Sequence, residues 1–215
     1  MRIREGGIMK VLLINGSPNQ KGCTYTALDE VAGQLHQQGI ETQIYHIGSQ
    51  AIAGCINCGK CAKTGCCIFK EDGVNECIDL LRQADGLVVG SPVYYGAPTG
   101  QICAFLDRMF FLKSQHYAYK PAAAIVNCRR GGASASFDRL NKYFTISSMP
   151  VVPSQYWNST HGFTPEQVRQ DGEGMQTMRT LGRNMAWMLK CFDLARDQVP
   201  LPEKEERIST HFIMD

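Results

Sequence analysis

Lys10-Val11-Leu12-Leu13-Ile14-Asn15-Gly16-Ser17-Pro18-Asn19-Gln20-Lys21-Gly22-Cys23-Thr24 passes from an unbroken apolar run, through turn-forming and hydroxylic residues, straight into a helical pattern. A strand that is apolar at consecutive positions is buried on both faces, as in a parallel sheet covered by helices. Gly86 to Gly90 and Pro121 to Asn127 read the same way, and Thr42 to Ile47 and Pro150 to Tyr156 complete five strand candidates. Helical stripes fill the gaps: Tyr25, Leu28, Val31, Ala32 and Leu35, stopping at Gly39; Val74, Cys77, Ile78 and Leu81; and Ile102, Phe105, Leu106, Met109 and Phe110, with Thr99 placed as a cap. A last stripe, Met175, Met178, Leu181, Met185, Met188, Leu189 and Phe192, suits core packing or a subunit interface. Strand and helix alternate, so the expected fold is α/β, a doubly wound five-stranded parallel sheet in the order 2-1-3-4-5 with helices on both faces.

The 215 residues, 44% apolar and 20% charged, suit one domain spanning 1–215. With 22 basic side chains against 20 acidic ones, a net charge of +2 and no basic block, nucleic acid is not an expected partner. No apolar run approaches the roughly 20 residues of a membrane-spanning helix, and the first residues lack a signal-peptide core. A cytoplasmic protein without a membrane partner is expected. Met9 stands directly before the first strand, so Met1 and Met9 are alternative starts and residues 1–8 read as a loose arm. The tail mixes Glu203, Lys204, Glu205, Glu206 and Arg207 before Phe212 and Ile213, an apolar end suited to docking on another subunit.

Ten cysteines in a chain without an export signal are expected as reduced thiols or metal ligands rather than disulfides. Cys77, Cys103, Cys128 and Cys191 fall in helix or strand patterns and read as small buried apolar residues. Five others, Cys55, Cys58, Cys61, Cys66 and Cys67, crowd into 13 residues. They lie in a segment, 51–70, that stretches the crossover between the second and third strands beyond the roughly 30 residues of an ordinary strand-helix-strand unit. It reads as an insertion. Trp157 to Gln170 reads as a second long loop, with His161 a hydrogen-bonded structural residue.

In an open parallel sheet, ligands bind at the carboxyl ends of the strands where the winding reverses, here after strands one and three. Unpaired amides at the helix start that follows the first loop, with the Ser17 and Thr24 hydroxyls, suit a phosphate. The pattern is not a Walker loop, and no G-x-G-x-x-G occurs. A phospho-acceptor domain would need acidic residues for magnesium where Asn15-Gly16-Ser17 stand. The loop after the third strand, Ser91-Pro92-Val93-Tyr94-Tyr95-Gly96-Ala97-Pro98-Thr99-Gly100, sets two aromatics between stiffening prolines, where a flat heteroaromatic ring could lie against a tyrosine.

Gly16-Ser17-Pro18 with Gly22 to Thr24, and Ser91 to Gly96, resemble the two FMN-binding loops of the flavodoxin-like NAD(P)H-dependent FMN reductases, and the cysteine segment resembles the cluster motif of the iron-sulfur flavoproteins in that superfamily. The likeness runs from Met9 to the C-terminus and takes in Leu106-Asp107-Arg108 and Tyr156-Trp157-Asn158. It implies a flavodoxin-like fold in which Ser17, Asn19, Gly22, Cys23 and Thr24 hold the FMN phosphate. Pro92, Val93, Tyr94, Tyr95 and Gly96 would hold the isoalloxazine, and Arg129, Arg130, Gly131 and Gly132 would approach its pyrimidine side. Cys23 stands where relatives often carry Asn or Ser; its amide can still serve.

Three thiolates at C-x-x-C-x-x-C spacing, Cys55, Cys58 and Cys61, can curl round a 4Fe-4S cluster. The resemblance implies Cys67 as the fourth ligand, with Cys66 as substitute. Zinc, whose usual pattern separates two C-x-x-C pairs by a longer stretch, and plain free thiols are the alternatives. The expected function is an oxidoreductase passing reducing equivalents from NAD(P)H through FMN, at flavin N5 and with no catalytic side chain, to a quinone, a flavin or another small acceptor. The rivals are an FMN and iron-sulfur electron carrier serving a ferredoxin-like redox partner, and a cysteine-loop redox or metal sensor. A homodimer or homotetramer is expected.

Overall fold

A computed structural model describes residues 7–111, 116–203, 205, 206, 208 and 210. The loose arm falls largely, and the Phe212 and Ile213 docking end wholly, outside the described residues. Strands β1 (Lys10–Asn15), β2 (Glu41–His46), β3 (Gly86–Tyr94), β4 (Ala97–Pro98), β5 (Ala122–Cys128) and β6 (Ser159–His161) alternate with helices α1 (Cys23–Gln37), α2 (Lys60–Thr64), α3 (Val74–Gln83), α4 (Gly100–Phe111), α5 (Ala133–Thr145), α6 (Pro165–Gln170) and α7 (Gly172–Ala195). The sheet runs β2-β1-β3-β5-β6, parallel throughout, while the two-residue β4 folds back antiparallel on β3. Five parallel strands thus take the expected doubly wound order, and the extra β4 makes a sixth.

The pleat sends alternate side chains to opposite faces, which is why consecutive apolar residues were needed. Leu12, Ile14, Leu87, Val89, Ala124 and Val126 pack under α3, α4 and α5. Val11, Leu13, Val88, Ala123 and Ile125 pack under α1 and α7. Helix α1 ends as its sequence dictates: Gly39 takes φ +76°, and the amides of Ile40 and Gly39 donate to Leu35 O and His36 O, with Ile40 itself buried. That is the Schellman arrangement, which needs a residue free to adopt a left-handed conformation. Helix α7 lays Met178, Leu181, Met185 and Leu189 into the core, as expected for packing. Phe192 is 41% exposed, at the edge of that stripe.

Three expectations need correction. The fifth strand is Ser159–His161, not Pro150 to Tyr156; within the latter only Val151 bridges to Ala122. Pro150 and Pro153 lack the amides a ladder needs, and the chain regains β5 only when Asn158 O accepts from Val126 N and Asn158 Nδ2 donates to Ala124 O. Trp157 to Gln170 is therefore largely ordered as β6 and α6; Thr164 caps α6 by accepting from Gln167 N. The segment Ser91 to Tyr94 continues β3, with Pro92 opposite Asn127 of β5.

Candidate functional site

At the carboxyl end of β1 the buried Asn15 side chain spans the following loop: its Oδ1 accepts from Ser17 N at 3.1 Å and its Nδ2 donates to Gln20 O at 3.1 Å. Ser17 Oγ accepts from Asn19 N at 3.1 Å, and Gly22 N donates to Asn19 O at 3.3 Å. His46, at the end of β2, places its Nε2 2.8 Å from Ser17 O. The loop is thus fixed in a curl leading into α1, whose first turn has no side-chain cap, so its leading amides face the loop. Thr24 is 1% exposed, and its Oγ1 is buried without a hydrogen-bond partner. An orphaned buried hydroxyl is costly unless something satisfies it, and here it stands at the positive end of a helix. Burial pushes the half-buried Cys23 thiol up, partly opposed by a backbone hydrogen bond and assisted by the Glu166 charge, so that it is neutral at physiological pH.

Gly16 joins this loop to β3. Its amide donates to Gly90 O at 2.8 Å, and a Cβ there would lie 2.8 Å from both Gly90 O and Ile102 Cγ1. Thr99 Oγ1 donates to Gly16 O and accepts from Ile102 N, which makes it the α4 cap that the sequence suggested. Beyond Tyr94 the chain turns at Tyr95 and Gly96, both at positive φ (51° and 78°), as a two-residue hairpin of the I′ kind requires. Tyr94 is 49% exposed and Tyr95 wholly so. The loop after β5, Arg129 to Gly132, closes on this hairpin. Gly132 has φ +88°, and its Cβ would stand 2.6 Å from Gly96 Cα and 2.8 Å from Val93 Cγ1. Arg129, Arg130 and Gly131 are exposed beside it. The structure thus brings the three loops together at one end of the sheet. His161 pairs with Cys128 at the end of β5, directly before Arg129; its amide donates to Asp171 Oδ2 at 2.6 Å and its Nδ1 lies 3.5 Å from the same oxygen, with half of the side chain exposed.

The cysteine segment packs beside α3 and α4, tied at its start by Gln101 Nε2, which donates to Gln50 O. Gly59 and Gly65, both at positive φ, bracket the short α2. Cys55, Cys58, Cys61 and Cys67 all line one small cavity, together with Ile56, Phe69 and Arg108. Cys66 does not: its Sγ lies 3.7 Å from Thr64 Oγ1. The four cysteines border this space, and among the described residues no group of three or more His, Cys, Asp or Glu is disposed to hold a single metal ion.

Cys67 is the most firmly held of the four. Asn75 Oδ1 accepts from its amide at 2.7 Å, and Asn75 Nδ2 donates to its carbonyl at 3.1 Å. Arg108, 2% exposed, donates from Nε to Cys67 Sγ at 3.3 Å and pairs with Asp72. It also donates to Ala53 O and Phe69 O, and it stacks on the Phe69 ring. Sequence reasoning assigned no role to Asn15, His46, Asn75 or Arg108. Only Arg108 left a signal, a charge set directly before the buried Met109 and Phe110.

A family model described as NADPH-dependent FMN reductase matches residues 9–164. An iron-sulfur flavoprotein of Methanocaldococcus jannaschii is 31% identical over 190 residues, covering 85% of this chain and 98% of that protein. Among solved structures, RosB with bound 8-demethyl-8-formylriboflavin-5′-phosphate superposes with TM-score 0.67 at 14% identity, over 96% of this chain and 94% of that one. A WrbA-like flavodoxin from Agrobacterium tumefaciens gives TM-score 0.59 at 17% identity, over 86% and 99%.

Proposed function

The chain belongs to the NADPH-dependent FMN reductase family, whose fold is flavodoxin-like, and from that premise we propose that it is an FMN-dependent oxidoreductase drawing on NAD(P)H and serving a small acceptor such as a quinone or a flavin. Bound FMN supplies two-electron and one-electron chemistry at N5 that no side chain can perform. The observation that carries this reading is the convergence of three loops at one end of the sheet, with a helix start whose Thr24 hydroxyl is buried without a partner, a donor set suited to a phosphate monoester. The Thr24 hydroxyl, Ser17, Asn19, Gly22 and the Cys23 amide hold the phosphate. Pro92 to Gly96 frame the ring, and Arg129 to Gly132 close on its polar edge. The chain acts as one FMN-binding domain. The reading includes a cytoplasmic setting and a homodimer or homotetramer, supported by Trp187 and Leu194, exposed by 68% and 74% on α7. Protein purified as yellow material with one FMN per chain, turning over NADH or NADPH with a quinone, bears this out; colourless protein that stays so after FMN is added refutes it.

A second reading is favoured by a separate observation, the shared cavity of Cys55, Cys58, Cys61 and Cys67. A thiolate-ligated 4Fe-4S cluster there would make the protein an electron carrier with a ferredoxin-like partner. Anaerobic purification with iron and sulfide assays tests it. Cys67→Ala should abolish iron retention while Cys66→Ala leaves it intact.

A further inference from the structure

Among the described residues Arg108 is the one buried charge of the cysteine region, and its use is disproportionate to a packing role. All of its nitrogens are engaged: Nε with Cys67 Sγ, Nη1 with Ala53 O and Asp72, and Nη2 with Asp72 Oδ1 and Phe69 O. The carboxylate is itself only 15% exposed, so the ion pair stands largely out of water. Loop anchoring would require the bonds to the Ala53 and Phe69 carbonyls; it does not require a guanidinium N–H donated to the sulfur of a cysteine that lines the cavity. We propose that Arg108 is a positioning and tuning residue for a redox centre ligated by Cys67, raising its reduction potential through the Nε–H···Sγ hydrogen bond while Asp72 moderates the charge. This rests on the reading of Cys55, Cys58, Cys61 and Cys67 as a cluster site.

The physics is the charge balance of reduction. A thiolate-ligated centre that takes up one electron, with no proton, gains one negative charge on its metal and sulfur atoms. A fixed cation donating to one of those sulfurs stabilises the reduced form more than the oxidised form. Low local dielectric enlarges the effect, because few waters reorient to cancel it. The same argument assigns Asp72 the opposite sign, since its negative charge lies beyond Arg108 and partly offsets it. A merely structural pair would behave otherwise, because breaking it from either side would loosen the loop in the same way.

The test uses the full chain purified without oxygen, loaded with ferrous iron and sulfide, and titrated spectroelectrochemically. Arg108→Gln should lower the midpoint, raising the oxidised-to-reduced ratio at the wild-type midpoint about tenfold, which is about 59 mV for one electron. Asp72→Asn should raise the midpoint, with FMN per chain unchanged in both variants. Potentials that stay at the wild-type value, or that move in the same direction, overturn the proposal. If Arg108→Gln fails to fold or to retain iron, the Asp72→Asn midpoint decides alone, with an upward shift supporting and any other result overturning. Wild-type protein that takes up no iron or sulfide instead removes the cluster reading, and the proposal with it; iron present at unmoved potentials refutes the role of Arg108 only.

Discussion

Replacing Thr24 by Val keeps the outline of the side chain and deletes its polar atom. The hydroxyl is buried with no partner, while its methyl faces Gly90, where an added Cβ would meet Thr24 Cγ2 at 2.9 Å. An unsatisfied buried hydroxyl costs about 1–3 kcal/mol, so the flavin-free variant should be more stable than wild type by about that amount. For a domain of this size that is a rise in Tm of about 2–4 °C per kcal/mol. Binding reverses the sign. A hydrogen bond to a charged phosphate is worth about 1.5–3 kcal/mol, so the variant should bind FMN about 10- to 150-fold more weakly. Riboflavin, which lacks the phosphate, should bind both proteins equally. Differential scanning fluorimetry on flavin-free protein and fluorescence titration with the two flavins measure these effects separately. A lower Tm in the variant, or equal losses for FMN and riboflavin, would refute the placement of the phosphate beside Thr24.

Gly132→Ala forces a Cβ to within 2.6 Å of Gly96 Cα at φ +88°, and Gly131→Ala, with nothing within 4 Å, is its control. The first should lose more than about 1–2 kcal/mol and weaken FMN binding, and the second should stay within about 0.5 kcal/mol of wild type, as thermal unfolding will show. Cys23 titrates above the ordinary cysteine range because burial disfavours its thiolate. The thiol is therefore neutral at and below physiological pH and contributes its share of stability there, losing it as pH rises through the raised pKa. FMN affinity should be flat near neutrality and fall at alkaline pH as a thiolate forms beside the phosphate, and Cys23→Ser should abolish that fall in a pH series of titrations. Lys120 Nζ donates to the carbonyls of Leu81, Arg82 and Ala84 at 2.7, 2.9 and 2.6 Å, closing the C-terminal end of α3. Lys120→Met should cost about 1–3 kcal/mol in chemical denaturation without altering FMN content.

Strands β1, β3 and β5 were legible because burial on both faces leaves an unbroken apolar signature. β6 was not: its Ser159, Thr160 and His161 are polar, and its place is fixed by Asn158 and Asn127, the latter donating to Thr160 O and Oγ1. The apolar, proline-broken run before it drew the assignment away. In the candidate site, the loops could be read from their turn residues, since Gly96 and Gly132 answer to local backbone demands at positive φ, whereas Gly16 is required by its close approach to Gly90 and Ile102. Asn15, Asn75 and Arg108 act through partners brought close only by folding. Nothing in the residues flanking Arg108 points to Asp72 or Cys67, so sequence spacing left it as one more charge on an amphipathic helix.

Helix α4 begins at the Thr99 cap beside Gly16 and carries Arg108 in its last turn. With a rise of about 1.5 Å per residue, it acts as a ruler of about 13 Å between the two recesses, and one inserted residue would swing Arg108 by about 100° away from its sulfur. A chimera that borrows the thiol-bearing insertion without this rod would receive the cysteines but not the cation that meets Cys67.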